Sequence, residues 1–225
     1  MLLALETSDR LCAACLYDVA KREVLASKTL DIGRGHAELL MGVIDEVLAS
    51  ADAKFSELTS IAACIGPGSF TGIRVGVSAA IGFSIALNIP KIGITSLQAL
   101  ATQAVQTTGS KDILVLIDAH RGDVYAQHFS ANGKATTVAA QISVADLPEQ
   151  TDFSAVILCG SGVAALRTLH PATSINALPE LIYPSVEAVA LAASNPAFQL
   201  PVKPLYLRRP DAKPQASYTI ARAAR

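Results

Sequence analysis

The sequence predicts an α/β protein built from two similar halves joined near residues 105–111. Two observations carry that expectation. Each half opens with an apolar run that ends at an acid, Leu2-Leu3-Ala4-Leu5-Glu6 in the first and Ile113-Leu114-Val115-Leu116-Ile117-Asp118 in the second. Each half later places a glycine turn after a short apolar run: Gly66-Pro67-Gly68 follows Ile61–Ile65, and Gly160-Ser161-Gly162 follows Ala155–Cys159. Short apolar runs closed by turn residues read as strands, and strands alternating with helical patterns read as α/β.

In order, the first half reads as follows. Strands are expected over residues 2–6, 12–17 and 24–30, a meander with a polar turn at 18–23. A helix over about 35–50 presents Leu39, Leu40, Val43, Ile44, Val47 and Leu48 as a wide apolar stripe. The strand 61–65, the glycine turn, a helix over 71–87 and a short strand 91–94 come next. A helix over 96–107 is capped by Thr95 or Ser96. The second half gives strands at 113–118 and 124–129, then the hairpin turn Asn132-Gly133 and a strand 134–140. A short helix at 143–149, the strand 155–159, a helix to about Leu169 and a closing helix at 184–194 complete it. Both halves therefore read β-β-β-α-β-α. This duplication resembles the two-lobed architecture of the actin-like ATPase and sugar-kinase superfamily (ASKHA), with lobes facing across a cleft. The expected divisions are an N-terminal lobe at 1–108, a C-terminal lobe at 109–200, and an extension at 201–225 that packs back or is partly disordered.

Composition narrows the function classes. Hydrophobic residues make up 51% and charged residues 16%, which supports a core and excludes disorder. A net charge of −1 excludes a global basic field toward nucleic acid, although residues 203–225 hold six cations against the single acid Asp211. Cys12 and Cys15 lie three apart in a strand, on opposite faces, so they form neither a redox nor a zinc motif; buried thiols fit a reducing cytoplasm. No signal peptide is visible, and residues 73–87 are too short and too rich in glycine and serine for a membrane span.

The stretch Gly66-Pro67-Gly68-Ser69-Phe70-Thr71-Gly72-Ile73-Arg74-Val75-Gly76 is the most informative. It is not a P-loop, because Gly-Lys-Ser/Thr is missing. A glycine turn opening a helix can still receive an anion on its free N–H groups, here through Gly66, Gly68, Ser69 and Thr71, or it can be a tight structural turn. The helix behind it carries only Arg74 as a charge, and small residues recur at Gly72, Gly76, Ala80 and Ser84. Such a ridge is expected to pack against a partner helix at short range, the other side facing the chain's own core. Glu6 and Asp118 end equivalent strands, where acids serve either a metal–phosphate site or a turn. His36 lacks a second helical ligand, since position 40 is Leu40. No G-x-S-x-G elbow is present. The residues give a nucleotide-fold outline without a catalytic set, and no metal or cofactor is expected.

Five stretches together resemble the dimerisation subunit of the bacterial tRNA threonylcarbamoyladenosine synthase, the TsaB (formerly YeaZ) family. They are Leu3–Ser8, His36–Leu40, Gly66–Gly76, Ile117–Tyr125 and Pro204–Arg208, covering the chain almost end to end. The resemblance implies a pseudoenzyme related to the catalytic subunit that transfers threonylcarbamoyl to adenosine 37 of tRNAs reading ANN codons. That relative holds metal with a His-x-x-x-His pair, broken here at Leu40. It further implies pairing with the catalytic subunit through helices 35–50 and 71–87, at Leu39, Leu40, Val43, Gly72, Arg74, Val75, Gly76, Ala79, Ala80 and Phe83. A small ATPase joins the complex, a homodimer is an option for the lone chain, tRNA is met only indirectly, and no membrane is involved. His120 and Asp123 depart from the family's commoner arginine and glutamate. The alternatives are a stand-alone small-molecule kinase or ATPase of the same fold, and a metallopeptidase.

Overall fold

The computed structural model describes residues 1–109 and 111–208. The first sheet contains β1 (Leu2–Glu6), β2 (Leu11–Asp18), β3 (Glu23–Asp31), β4 (Ser60–Cys64) and β5 (Lys91–Ile94), in the order β3-β2-β1-β4-β5. The second contains β6 (Ile113–Asp118), β7 (Asp123–Phe129), β8 (Ala140–Ser143), β9 (Ile157–Cys159) and β10 (Asn176–Ala177), in the order β10-β9-β6-β7-β8. Read from its other edge, the second order is the first with every strand five places on. The pairing repeats too: β1 runs antiparallel to β2 and parallel to β4, as β6 does to β7 and β9. The duplication read from the sequence is therefore a duplication of topology, in the actin-like fold.

Six α-helices cover the sheets among the described residues: α1 (His36–Ser50), α2 (Phe70–Leu87), α3 (Ser96–Thr108), α4 (Leu147–Gln150), α5 (Val163–Leu169) and α6 (Val186–Ala193). Helices α1 and α2 lie on the outer face of the first sheet, where Leu40, Val43, Ile44, Val47 and Ala80 meet Leu3, Leu5 and Ile61. Helices α3 and α6 form the layer between the sheets, and they are exchanged. From the first half, α3 buries Leu97, Leu100, Ala101 and Ala104 against Ile113, Val115 and Phe129 of the second sheet. From the second half, α6 buries Val186, Val189 and Ala190 against Leu2, Ala4 and Tyr17 of the first. The helix that the sequence reading assigns to closing the second half thus packs on the first sheet.

Three details differ from the sequence reading. The second half carries one strand that was not expected, β10, so that with β5 and α3 in the first half and α6 in the second the full repeat is β-β-β-α-β-α-β-α; β10 has only two residues, too few to show a pattern. The strand expected at 134–140 starts at Ala140. The Asn132-Gly133 turn does form, and Ala135 bridges back to Phe129, but β8 then pairs Ala140 with Ala126. Four residues on one strand, Thr136–Ala139, oppose two on the other, Gln127 and His128, so the chain bulges out there and exposes Val138. The helix expected at 143–149 is a 3₁₀ turn, Val144–Asp146, running into α4.

After α6 the chain returns to the first lobe. Leu200 and Gly93 exchange backbone bonds, and Leu205 N–H donates to the Ile65 carbonyl at 2.8 Å. Arg208 then reaches the second lobe, where it pairs with Asp123 at 3.0 Å. Residues 201–208 thus pack back on the fold; the rest of the basic extension, with Arg209, Lys213, Arg222 and Arg225, lies outside the described residues.

Candidate functional site

The Gly66–Gly76 stretch spends its glycines on the chain's own backbone. A methyl group on Gly68 would lie 2.1 Å from the Ser8 carbonyl oxygen, and one on Gly72 would lie 2.0 Å from that of Thr7. Thr7 Oγ1 donates to the Gly72 carbonyl at 2.8 Å, and Ser69 N–H donates to the Ser8 carbonyl at 2.6 Å. Ser69 caps α2 by accepting from Gly72 N–H. Gly66 is held at φ +93° beside Ile73, and Thr71 is exposed on the first turn of α2. Gly68, Ser69 and Gly72 therefore clasp the β1–β2 turn to α2, with the Ser69 and Gly72 N–H groups that an anion would need already used, while Gly66 and Thr71 stand outside that clasp.

Beneath that clasp lies a closed polar cluster. Glu6 Oε1 accepts from Ser8 N–H at 2.5 Å and from Ser8 Oγ at 2.6 Å. Ser96 Oγ donates to Ser8 Oγ at 3.0 Å, and the Cys64 thiol touches both serine hydroxyls. Glu6 is fully buried and its Oε2 has no hydrogen-bond partner among the described residues. Burial pushes its pKa up to about 7, against the opposing pull of Cys64 and Ser8.

Between the lobes runs a cleft of about 440 Å³, lined by Asp9, Gly68 and Ser69 on one side and Asp118, His120 and Ser161 on the other. Asp118 closes its own turn: Oδ1 accepts from His120 N–H at 2.8 Å, and Ser161 Oγ accepts from Asp118 N–H at 3.0 Å. Both acids that end the equivalent strands are thus engaged by neighbouring serines or turn amides. His36 is buried at the start of α1, and Leu40, one turn on, is a core residue. No group of three or more His, Cys, Asp or Glu able to hold a metal occurs among the described residues.

The outer face of α1 and α2 differs from the face the sequence suggested. Gly72, Gly76 and Ala80 point inward: Gly76 abuts the Thr7 side chain and Ala80 packs in the core. Leu40 and Val43 are likewise buried in the chain's own core. The small-residue ridge is therefore the seam of α2 against the sheet and Thr7. What α1 and α2 expose is a second stripe: Leu39, Met41, Phe70, Thr71, Arg74, Ser78, Gly82 and Ile85. Val75 and Ala79 are half-buried along it, and Phe83 stacks on Phe55 with ring centroids 5.3 Å apart. A groove of about 450 Å³ runs between the helices, walled by Ala37, Met41, Phe70, Val75 and Ala79. Helix α2 is long and apolar enough to cross a membrane by length and composition alone. The helix is apolar on both faces, and one of those faces is uncovered.

Residues 23–196 match the family model described as TsaD: tRNA N6-adenosine threonylcarbamoyltransferase. The TsaB proteins of Haemophilus influenzae and Escherichia coli are 35% and 30% identical over 127 and 124 residues. YeaZ from Pseudomonas aeruginosa superposes with a TM-score of 0.78 at 25% identity, covering 92% of this chain and 99% of that one. The chain belongs to the TsaB/YeaZ family. It is also 31% identical over 227 residues to an uncharacterized protein of Mycobacterium tuberculosis, covering 96% of each. The matches to the two TsaB proteins span 55% of this chain and about half of each relative, 51% and 52%. Component A of the Acidaminococcus fermentans (R)-2-hydroxyglutaryl-CoA dehydratase shares the fold alone, at a TM-score of 0.50 and 13% identity. Membership ties the chain to tRNA threonylcarbamoyladenosine biosynthesis, the process for which its TsaB relatives are named.

The sequence reading missed Met41, Phe70 and Ile85 on the open stripe. A signal for them existed. Thr71, Val75, Ser78, Ala79 and Gly82 make a second small-residue row on α2, offset from the first, and Met41 lies outside the α1 core stripe.

Proposed function

We propose that this chain is a non-catalytic, cytoplasmic subunit needed to form the threonylcarbamoyl group on N6 of adenosine 37 in tRNAs that read ANN codons. It pairs with the TsaD-type catalytic subunit through the α1/α2 stripe and holds that subunit in its active arrangement. The small ATPase joins the assembled pair, and tRNA is met through the catalytic subunit. The observation that carries this reading is the uncovered apolar stripe of Met41, Phe70, Val75 and Ala79 on a chain of this family. Binding of this kind activates only through a difference in affinity for the partner's states.

Two further observations support a role without chemistry. The space beside Gly68 and Gly72 is filled by the chain's own carbonyls, and Leu40, the position at which the family resemblance implies the catalytic relative's second metal histidine, is a buried core residue. A stand-alone kinase would need the opposite arrangement, with glycines held open toward a phosphate. The test is co-purification of the chain with the catalytic subunit, followed by nucleoside analysis of tRNA from cells that lack the chain. The modified adenosine should disappear and return on complementation. Normal modification in its absence would end the proposal.

A further inference from the structure

Arg74 is the one charged residue among those lining the α1/α2 groove. Its guanidinium is fixed from two sides. The carbon Cζ sits 3.7 Å from the centroid of the Phe70 ring, and Nε donates to Tyr206 Oη at 2.9 Å. The Phe70 and Tyr206 rings lean on each other with centroids 5.1 Å apart. Tyr206 is itself anchored, because the neighbouring Leu205 N–H bonds the Ile65 carbonyl. No carboxylate of the described residues pairs with Arg74. Among the described residues one of its five N–H donors is used, which leaves both terminal nitrogens in a fixed planar fork.

A surface that covered this groove without answering Arg74 would bury an unpaired charge, which strongly opposes association. A planar fork held in place is matched by a carboxylate, which can accept two parallel bonds. We infer that the partner's docking surface carries an aspartate or glutamate that pairs with Arg74, and that Tyr206 is a positioning residue for that pair. The inference rests on the proposed docking of the α1/α2 stripe with the TsaD-type subunit and names the chemistry of that contact. An RNA phosphate would also suit the fork. The walls around it are apolar, however, and the chain's net charge is −1, so a protein helix bearing a single acid fits better.

The test measures affinity for the purified catalytic subunit at two salt concentrations, using full-length variants. Arg74→Gln should weaken binding about 30-fold or more and flatten the salt dependence. Tyr206→Phe keeps the ring but drops the hydrogen bond, and should weaken binding about 3- to 10-fold while leaving the melting temperature unchanged. Changing each acid of the catalytic subunit's contact surface to arginine, in turn, should identify one whose loss is rescued by Arg74→Glu. Wild-type affinity in Arg74→Gln, or no rescuing acid, overturns the inference. So does loss of tRNA binding in place of subunit binding. Met41→Asp separates this result from the docking proposal. If Met41→Asp abolishes pairing while Arg74→Gln does not, the stripe docks but the carboxylate is wrong. If Met41→Asp pairs normally, the stripe itself is wrong.

Discussion

Gly72 lies so close to Thr7 that a methyl group added to it would meet the Thr7 carbonyl oxygen at 2.0 Å. One turn on, a methyl group at Gly76 would meet Thr7 Oγ1 at 2.5 Å. The glycine row therefore sets how deeply α2 seats against the β1–β2 turn. Gly72→Ala must push α2 or that turn outward, at an expected cost of about 1–3 kcal/mol or more. Gly76→Leu and Ala80→Leu fail for the same reason, by overfilling the chain's own interior. Denaturant unfolding of the isolated chain should show the loss without any partner present. Full stability in these variants would mean that α2 seats differently.

Stability should fall as pH rises from about 4.5 to about 7. Glu6 titrates near 4.5 when exposed, and burial raises it to about 7 in the fold. In that window the folded state holds a proton that the unfolded state has released. The contribution is complete below 4.5 and gone above 7. A shift of this size corresponds to on the order of 3 kcal/mol. Glu6→Gln imitates the protonated acid. It should raise the melting temperature at pH 8 and change it little at pH 4.5. An equal effect at both pH values would contradict the assignment to Glu6.

Tyr17 Oη is buried and has no hydrogen-bond partner among the described residues. Its ring packs between Leu2 and α6, part of the layer that joins the two sheets. Tyr17→Phe keeps that packing and removes a desolvated hydroxyl, so a gain of about 1 kcal/mol is expected. Thermal unfolding measures it directly, and a loss of stability would show that the hydroxyl is satisfied.

The order of elements was legible in the sequence because strand and helix periods are local. Helices α1, α2 and α3 fall within one residue of the expected starts, and Thr95, one of the two caps expected, caps α3. Which face of α2 points inward was not legible. Both faces carry small residues, and what decides between them is the Thr7–Ser8 turn, more than sixty positions away. The exchange of α3 and α6 between lobes is equally non-local, since both helices are apolar enough to lie on either sheet. The β8 offset arises from a two-residue bulge that no alternation pattern marks. On the exposed α1/α2 stripe, Arg74 was visible, but Tyr206 enters only through the returning C-terminal segment.

Asp118 holds a turn through His120 N–H, and no part in the chemistry is proposed for it. Asp118→Ala should cost about 1 kcal/mol of local stability and leave modification largely intact. Retained activity in a fully assembled complex checks this, with assembly read by size-exclusion chromatography.

The most direct test is reconstitution of threonylcarbamoylation with all subunits and a tRNA substrate, scoring activity and assembly side by side for Met41→Asp, Glu6→Gln and Asp118→Ala. Activity should follow the assembled fraction: lost with Met41→Asp, and kept with the other two. An Asp118→Ala or Glu6→Gln complex that assembles fully yet modifies no tRNA would contradict a scaffold role and assign chemistry to this chain.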